Sequence, residues 1–283
     1  TNTLKKEVNI YIRLNVGVEA HTHKYIVTAH VDSKFGVMYA GKDYKEMLEL
    51  IGRSNYIKLQ GFHSHIGSQI FDLAPYDAAI TKLVEIVKDF DRPLGINLGG
   101  GFGVSYTDAD RPIPFDTLSK HLIEVMESEL NKQNVKLHKL SIEPGRSIVA
   151  EAGQTLYTIG GLKQTPNKLY YFIDGGMTDN IRPALYQALY HADIVGKEKE
   201  FKNKVVTIAG KCCESGDVII ENILLPLAQK GDLLITYSTG AYGYSMSSNY
   251  NKALTPAVVF VEGNKDELVV KRQSLEELLE REV

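Results

Sequence analysis

The stretch Tyr76–Gly103, YDAAITKLVEIVKDFDRPLGINLGGGFG, decides how this chain folds. Its first part places apolar side chains at Ile80, Leu83, Val84 and Val87, the spacing of one helix face, and so predicts an amphipathic helix over Tyr76–Phe90. Leu94–Leu98 then reads as a buried strand that runs straight into a glycine cluster. A helix followed by a short buried strand is the repeating unit of a parallel sheet.

The same alternation extends in both directions. Upstream, Val8–Leu14 reads as a strand bounded by Gly17. Lys42–Gly52 follows as a helix with Tyr44, Met47, Leu48 and Ile51 on one face, and Ile57–Phe62 as a second strand. Downstream, Phe115–Leu130 carries Leu118, Leu122, Val125 and Met126 at helical spacing and precedes a strand over Leu137–Ile142. Strands alternating with helices imply an α/β fold, either doubly wound or a (β/α) barrel. After Ser147 the pattern changes to short β-rich runs, Thr155–Gly161, Leu169–Ile173, Val205–Ala209 and Leu233–Tyr237. These predict a second, mainly antiparallel β domain over 148–283, after an α/β part over 1–147. No flexible spacer marks the boundary.

Composition narrows the function. With 283 residues, 43% of them hydrophobic, the chain has ample material for a packed core. Its net charge of -3, from 32 basic and 35 acidic residues, gives no field that recruits nucleic acid or an anionic membrane. No apolar run reaches the roughly eighteen residues of a membrane span, and Thr1–Lys6 is polar, unlike a secretory signal. A cytoplasmic protein with a small-molecule partner is expected. The two cysteines, Cys212 and Cys213, are adjacent, which suits neither a zinc site nor a disulfide framework and leaves reactivity as a reason for at least one.

Several motifs could carry chemistry. Gly99-Gly100-Gly101-Phe102-Gly103 follows a strand, where glycines let backbone N–H groups approach an anion such as phosphate. Glu143-Pro144-Gly145-Arg146 ends the next strand, placing a carboxylate and a guanidinium at the mouth where a barrel binds phosphate. In His63-Ser64-His65-Ile66-Gly67-Ser68-Gln69, alternation puts both histidines on one face, able to stack on a flat ring, while Ser68 can bond a phosphate. No third ligand lies near the two histidines, so no metal is expected. In the β part, Arg182 can clamp a carboxylate with two parallel hydrogen bonds. Cys213 can donate a proton, since thiols in general keep theirs at neutral pH. Gly240-Ala241-Tyr242-Gly243 is a tight turn presenting a phenol. Each motif also has an ordinary reading: a structural turn, a surface Glu–Arg pair, a core histidine, a solvated arginine, a buried cysteine.

Taken in order, HSHIGSQ, GGGFG, EPGR, DGGMTDNIRPALY, CESGD and GAY closely resemble the fold-type III pyridoxal-phosphate decarboxylases, their diaminopimelate decarboxylase branch in particular. SKFG at Ser33–Gly36 and RLNVGV at Arg13–Val18 fit the same branch, and the match runs from Val8 to Leu279. The resemblance implies an alanine-racemase-like (β/α)8 barrel, of which 1–147 would be the C-terminal half with Val8–Leu14 as its fifth strand. It implies pyridoxal 5'-phosphate as cofactor, with His65 stacked on the ring and Glu143 at the pyridine nitrogen. Ser68, Gly100, Gly101 and the Pro144-Gly145-Arg146 turn would hold the phosphate, and Tyr242 would add a contact. Cys213 would protonate Cα, while Arg146, Arg182, Tyr186, Glu214 and Tyr242 would recognise the far end of the substrate.

RPALY and CESGD favour meso-diaminopimelate over ornithine, because a distal amino-acid group suits an Arg182 and Glu214 pair. The implied reaction releases L-lysine and CO2, the last step of lysine biosynthesis. Homodimers with shared active sites are the implied assembly. Related decarboxylases of arginine, ornithine or carboxynorspermidine are the nearest alternatives, and a non-catalytic regulatory homologue is another. The resemblance also implies a preceding N-terminal stretch whose lysine carries the cofactor in a motif like Ala-x-Lys-Ala. This sequence holds no such motif, and Lys34 of SKFG is not a substitute. Half a barrel on its own would leave two open strand edges.

Overall fold

The computed structural model describes residue 3, residues 5–18 and residues 33–283. The polar stretch Thr1–Lys6 therefore lies partly outside the described residues. Two compact units result: Thr1–Val104 with Arg111–Ser147, and Ser105–Asp110 with Ile148–Val283.

The first unit contains β1 (Val8–Asn15), β2 (Val37–Met38), α1 (Lys42–Arg53), β3 (Ile57–His63), α2 (Ala74–Lys88), β4 (Leu94–Asn97), α3 (Phe115–Gln133) and β5 (Leu137–Ser141). Its strands form a parallel sheet in the order β2-β1-β3-β4-β5, an arc of a (β/α) barrel. One sheet face is apolar. Ile12, Leu14, Leu59, Phe62, Leu94 and Ile96 are buried in one cluster with Ile80, Leu83 and Val84 of α2 and Leu118 and Leu122 of α3. The period-two alternation of each strand sends the intervening residues to the other face. That face is closely built around Tyr11: a Cβ at Gly95 would come within 2.2 Å of the Tyr11 hydroxyl, so only glycine lets the ring lie there.

After α4 (Arg146–Val149), the second unit contains β6 (Thr155–Gln164), β7 (Leu169–Ile173), α5 (Arg182–Tyr186), β8 (Ala192–Ile194), β9 (Lys204–Ala209), β10 (Val218–Leu225), β11 (Leu233–Thr236), β12 (Val258–Glu262), β13 (Lys265–Val270) and α6 (Leu275–Leu279). Six strands form one sheet in the order β10-β9-β7-β6-β11-β8, antiparallel except for the β7–β9 pair, and β12 and β13 form a separate hairpin. Tyr157, Ile159, Tyr171, Ile208 and Leu234 are buried in it.

Ser105–Asp110 groups with the second unit although it precedes residue 148 in the chain. The reason is local: Ser238 Oγ donates to Ser105 O at 2.8 Å, and the Tyr106 ring meets Tyr190 edge-on at 5.2 Å. Among the described residues, no helix is long and apolar enough to cross a membrane.

Candidate active site

Register builds the first cluster. Arg13 pairs with His63, His63 with Asn97, and Asn97 with Ser141, so one row of polar residues crosses the carboxy ends of β1, β3, β4 and β5. Glu143 stands two residues beyond Ser141, and its N–H donates to Gly99 O at 2.7 Å, continuing the ladder past the strand end. Asn97 Nδ2 donates to Glu143 Oε1 at 2.7 Å, and His63 Nε2 lies 3.5 Å from Glu143 Oε2.

His65 follows on the same loop. Its Nδ1 accepts the Gly100 N–H at 3.1 Å, which makes Nδ1 the unprotonated nitrogen and leaves the hydrogen of the neutral ring on Nε2. The Gly100 N–H, expected to face a phosphate, is therefore spent on an imidazole here. The Gly99 N–H is likewise taken, by Asn97 Oδ1 at 2.9 Å. What the glycines do permit is close approach, since a Cβ at Gly100 would fall 2.3 Å from Glu143 O. Gln69, in the left-handed region at φ 58°, grips Val104 with both ends of its amide, at 3.0 Å each, and ties this loop to the glycine run. The Arg146 guanidinium is buried and donates to Ser68 Oγ at 2.8 Å. A cation and a hydroxyl are thus joined across two loops at the strand ends, with Pro144 and Gly145 forming the turn that leads into Arg146.

Burial lowers the pKa of both histidines below the usual value, and Arg13 pushes the same way, against Glu143. The unfolded chain then binds protons that the fold refuses. The stability these rings contribute is present above their unfolded pKa of about 6.5 and is lost as pH falls below it. We expect the urea midpoint of the protein to drop between ~pH 7.5 and ~pH 5.5. A double His63→Gln, His65→Gln variant should show a flatter profile, and an equally steep one would refute the assignment.

In the second unit, Arg182 opens α5 and is 4% exposed. Its guanidinium carbon lies 5.1 Å from the Tyr106 ring centroid and 5.7 Å from those of Tyr190 and Tyr242, and Nη1 donates to the Tyr190 hydroxyl at 2.6 Å. Among the described residues, no carboxylate pairs with it. Tyr242 is held at φ 63°, a conformation an aromatic residue adopts only under constraint. Gly240 beside it packs so closely that a Cβ would fall 1.9 Å from Val149 O. Tyr186 closes α5, half-buried.

Cys213 and Glu214 are both exposed, on the loop between β9 and β10. Buried Asp217 pins that loop: its Oδ2 accepts the Cys212 N–H at 2.7 Å and its Oδ1 the Met177 N–H at 2.6 Å. The Tyr250 hydroxyl donates to Glu214 Oε1, which raises the Tyr250 pKa. Burial, and Asp217 next, push the Cys212 thiol up.

So the first unit brings together His63, His65, Ser68, Gly100, Glu143 and Arg146. The second joins Arg182 to Tyr242, and holds Cys213 and Glu214 on a separate loop. Sequence reasoning missed Asn97, Gln69, Asp217, Tyr106 and Tyr190. Of these, Asn97 carried a signal, as a polar residue in a buried strand at the alternation position of the inner face.

A carboxylate, an imidazole and a guanidinium–hydroxyl pair at the ends of adjacent barrel strands form a donor set for a phosphorylated aromatic cofactor. The family model described as pyridoxal-dependent decarboxylase, pyridoxal binding domain, matches residues 1–150, and the chain belongs to that family. The chain is 46% identical over 275 residues to the diaminopimelate decarboxylase of Bacillus methanolicus, covering 95% of this chain and 64% of that protein. Among solved structures, it is similar to diaminopimelate decarboxylase from Helicobacter pylori complexed with L-lysine, with TM-score 0.86 and 32% identity over 99% of this chain and 68% of that one. The enzyme from M. jannaschii in co-complex with L-lysine gives 0.89 and 31%, over 100% and 65%.

The residues present fit the family's cofactor, pyridoxal phosphate. Arg146 and Ser68 can take the phosphate, the His65 ring is anchored by the Gly100 N–H, and Glu143 accepts a hydrogen bond from Asn97 with the His63 ring 3.5 Å from its other oxygen.

Proposed function

We propose that the protein carrying this chain decarboxylates meso-2,6-diaminopimelate to L-lysine and CO2, the last step of lysine biosynthesis, as a cytoplasmic homodimer with shared active sites. The observation that carries the substrate choice is Arg182. A guanidinium 4% exposed, caged by tyrosines and without a carboxylate partner among the described residues, is charge waiting for an anion. A distal carboxylate supplies it, and Glu214 suits the distal ammonium. Diamine-like ends, as in ornithine, have no use for such a cation.

The remaining roles follow from each group's chemistry. Arg146 and Ser68 bind the phosphate, with Gly101 and Gly145 allowing close approach. His65 packs on the ring face, and Glu143 faces the ring nitrogen. When bound, the cofactor supplies an electron-accepting ring that takes up the pair left as carbon dioxide departs. Cys213 then delivers a proton to Cα. Arg182, Tyr186, Glu214 and Tyr242 hold the far end of the substrate.

The test is a substrate panel. kcat/KM for meso-diaminopimelate is expected to exceed that for lysine, ornithine or arginine by about 100-fold or more, because a site built for a buried ionic contact penalises its loss heavily. Comparable values for ornithine would transfer the proposal to a polyamine-type decarboxylase. The same comparison with Arg182→Met should show the preference collapse through KM.

A further inference from the structure

Asn97 has no place in the roles above, yet both ends of its amide are committed. Oδ1 accepts the Gly99 N–H at 2.9 Å, so the amide presents its nitrogen, at 2.7 Å, to Glu143 Oε1. On the other side stands His63, register partner of Asn97, with Nε2 3.5 Å from Glu143 Oε2. The main chain closes the arrangement, since the Glu143 N–H donates to the carbonyl of Gly99, the residue that Asn97 caps. The Glu143 side chain is 56% exposed, so packing alone does not set its rotamer.

We propose that Asn97, with His63 opposite, is a positioning residue that fixes the direction in which the Glu143 carboxylate meets the pyridine ring. The inference rests on the reading that Glu143 faces that ring. Among the described residues, Arg13 on β1, His65 beyond β3 and Glu143 itself are the charged or titratable groups that act on His63. Any change at position 97 that alters charge therefore registers in the His63 titration.

Asn97→Asp separates positioning from loop capping. The aspartate oxygen still accepts the Gly99 N–H, while the group facing Glu143 turns from donor to acceptor. In cofactor-free protein carrying this chain, the His63 ring resonances are followed by NMR against pH. Pyridoxal phosphate affinity is measured separately by absorbance titration. In N97D, His63 should titrate at higher pH, because a second carboxylate has joined the cluster. The Kd for pyridoxal phosphate should rise about tenfold or more, with Tm close to wild type.

An N97D protein with unchanged His63 titration and unchanged Kd would overturn the proposal and leave Asn97 as a loop cap only. Should N97D not fold, Glu143→Gln decides: His63 should then titrate at lower pH, and an unmoved titration would refute the contact. If Glu143→Gln binds the cofactor as tightly as wild type, the reading of Glu143 against the ring fails, and this inference with it. If Glu143→Gln weakens binding but N97D does not, only the role of Asn97 fails.

Discussion

Cys213→Ala is expected to lower turnover by about 10²–10⁴-fold, the usual contribution of a positioned proton donor, with KM changed little. Cys213 is exposed, on a loop whose backbone is tied down one residue earlier, so its removal takes away a thiol without opening a cavity. The loss should therefore appear in kcat, and Tm should stay at the wild-type value. Retained turnover would remove Cys213 from the reaction. The same variant tests the proposed dimer. Mixed with Glu143→Gln protein, it should recover about a quarter of wild-type activity after random reassociation, because each hybrid of a shared-site dimer keeps one intact site. No recovery would count against sharing.

Asp217→Ala is expected to destabilise the second unit by about 2 kcal/mol, since it leaves two part-buried backbone donors without their acceptor, each at the low end of the roughly 1–3 kcal/mol that a fully buried orphan costs. The donors are the Met177 and Cys212 N–H groups, and the carboxylate is 2% exposed. Both loops are built around it: a Cβ would fall 2.2 Å from its Oδ2 at Gly210 and 2.5 Å from its Oδ1 at Gly176. Urea unfolding measures the loss. Activity should fall in parallel, because the Cys212-Cys213 turn loses its anchor. A variant as stable as wild type would show that the loops hold themselves. Asp217→Asn should be intermediate, keeping one acceptor and turning an N–H2 toward a backbone donor.

Much of the first unit was legible along the chain. Strands β1, β3, β4 and β5 show apolar residues interleaved with polar ones because one face is sealed by helices, and α2 shows its buried stripe at Ile80, Leu83, Val84 and Val87. Other strands were not legible, among them β2, β10 and the β12–β13 pair. β2 is only Val37–Met38 and makes sense only as a partner of Leu14 and Asn15. β10 is interrupted by Glu221 and by Asn222 at φ 56°, with register shifts that hide its alternation. The β12–β13 hairpin exposes Val259, Phe260, Val261 and Leu268, so no burial pattern announces it.

The candidate site divides the same way. His65, Glu143, Arg146, Arg182 and Cys213 could be picked from motifs, because glycine, proline and charge cluster where strands end. Their partners could not. Asn97 reaches Glu143 across 46 positions, Gln69 reaches Val104 across 35, and Asp217 reaches Met177 across 40. A local pattern reports which side chains share a face, since periodicity is a property of the backbone. Which donor meets which acceptor depends on strand register and loop closure, set by contacts far apart in the chain. For that reason the residues with chemistry were readable one by one, while the orientation of Glu143, the tautomer of His65 and the tyrosine cage around Arg182 emerged only once the chain was folded.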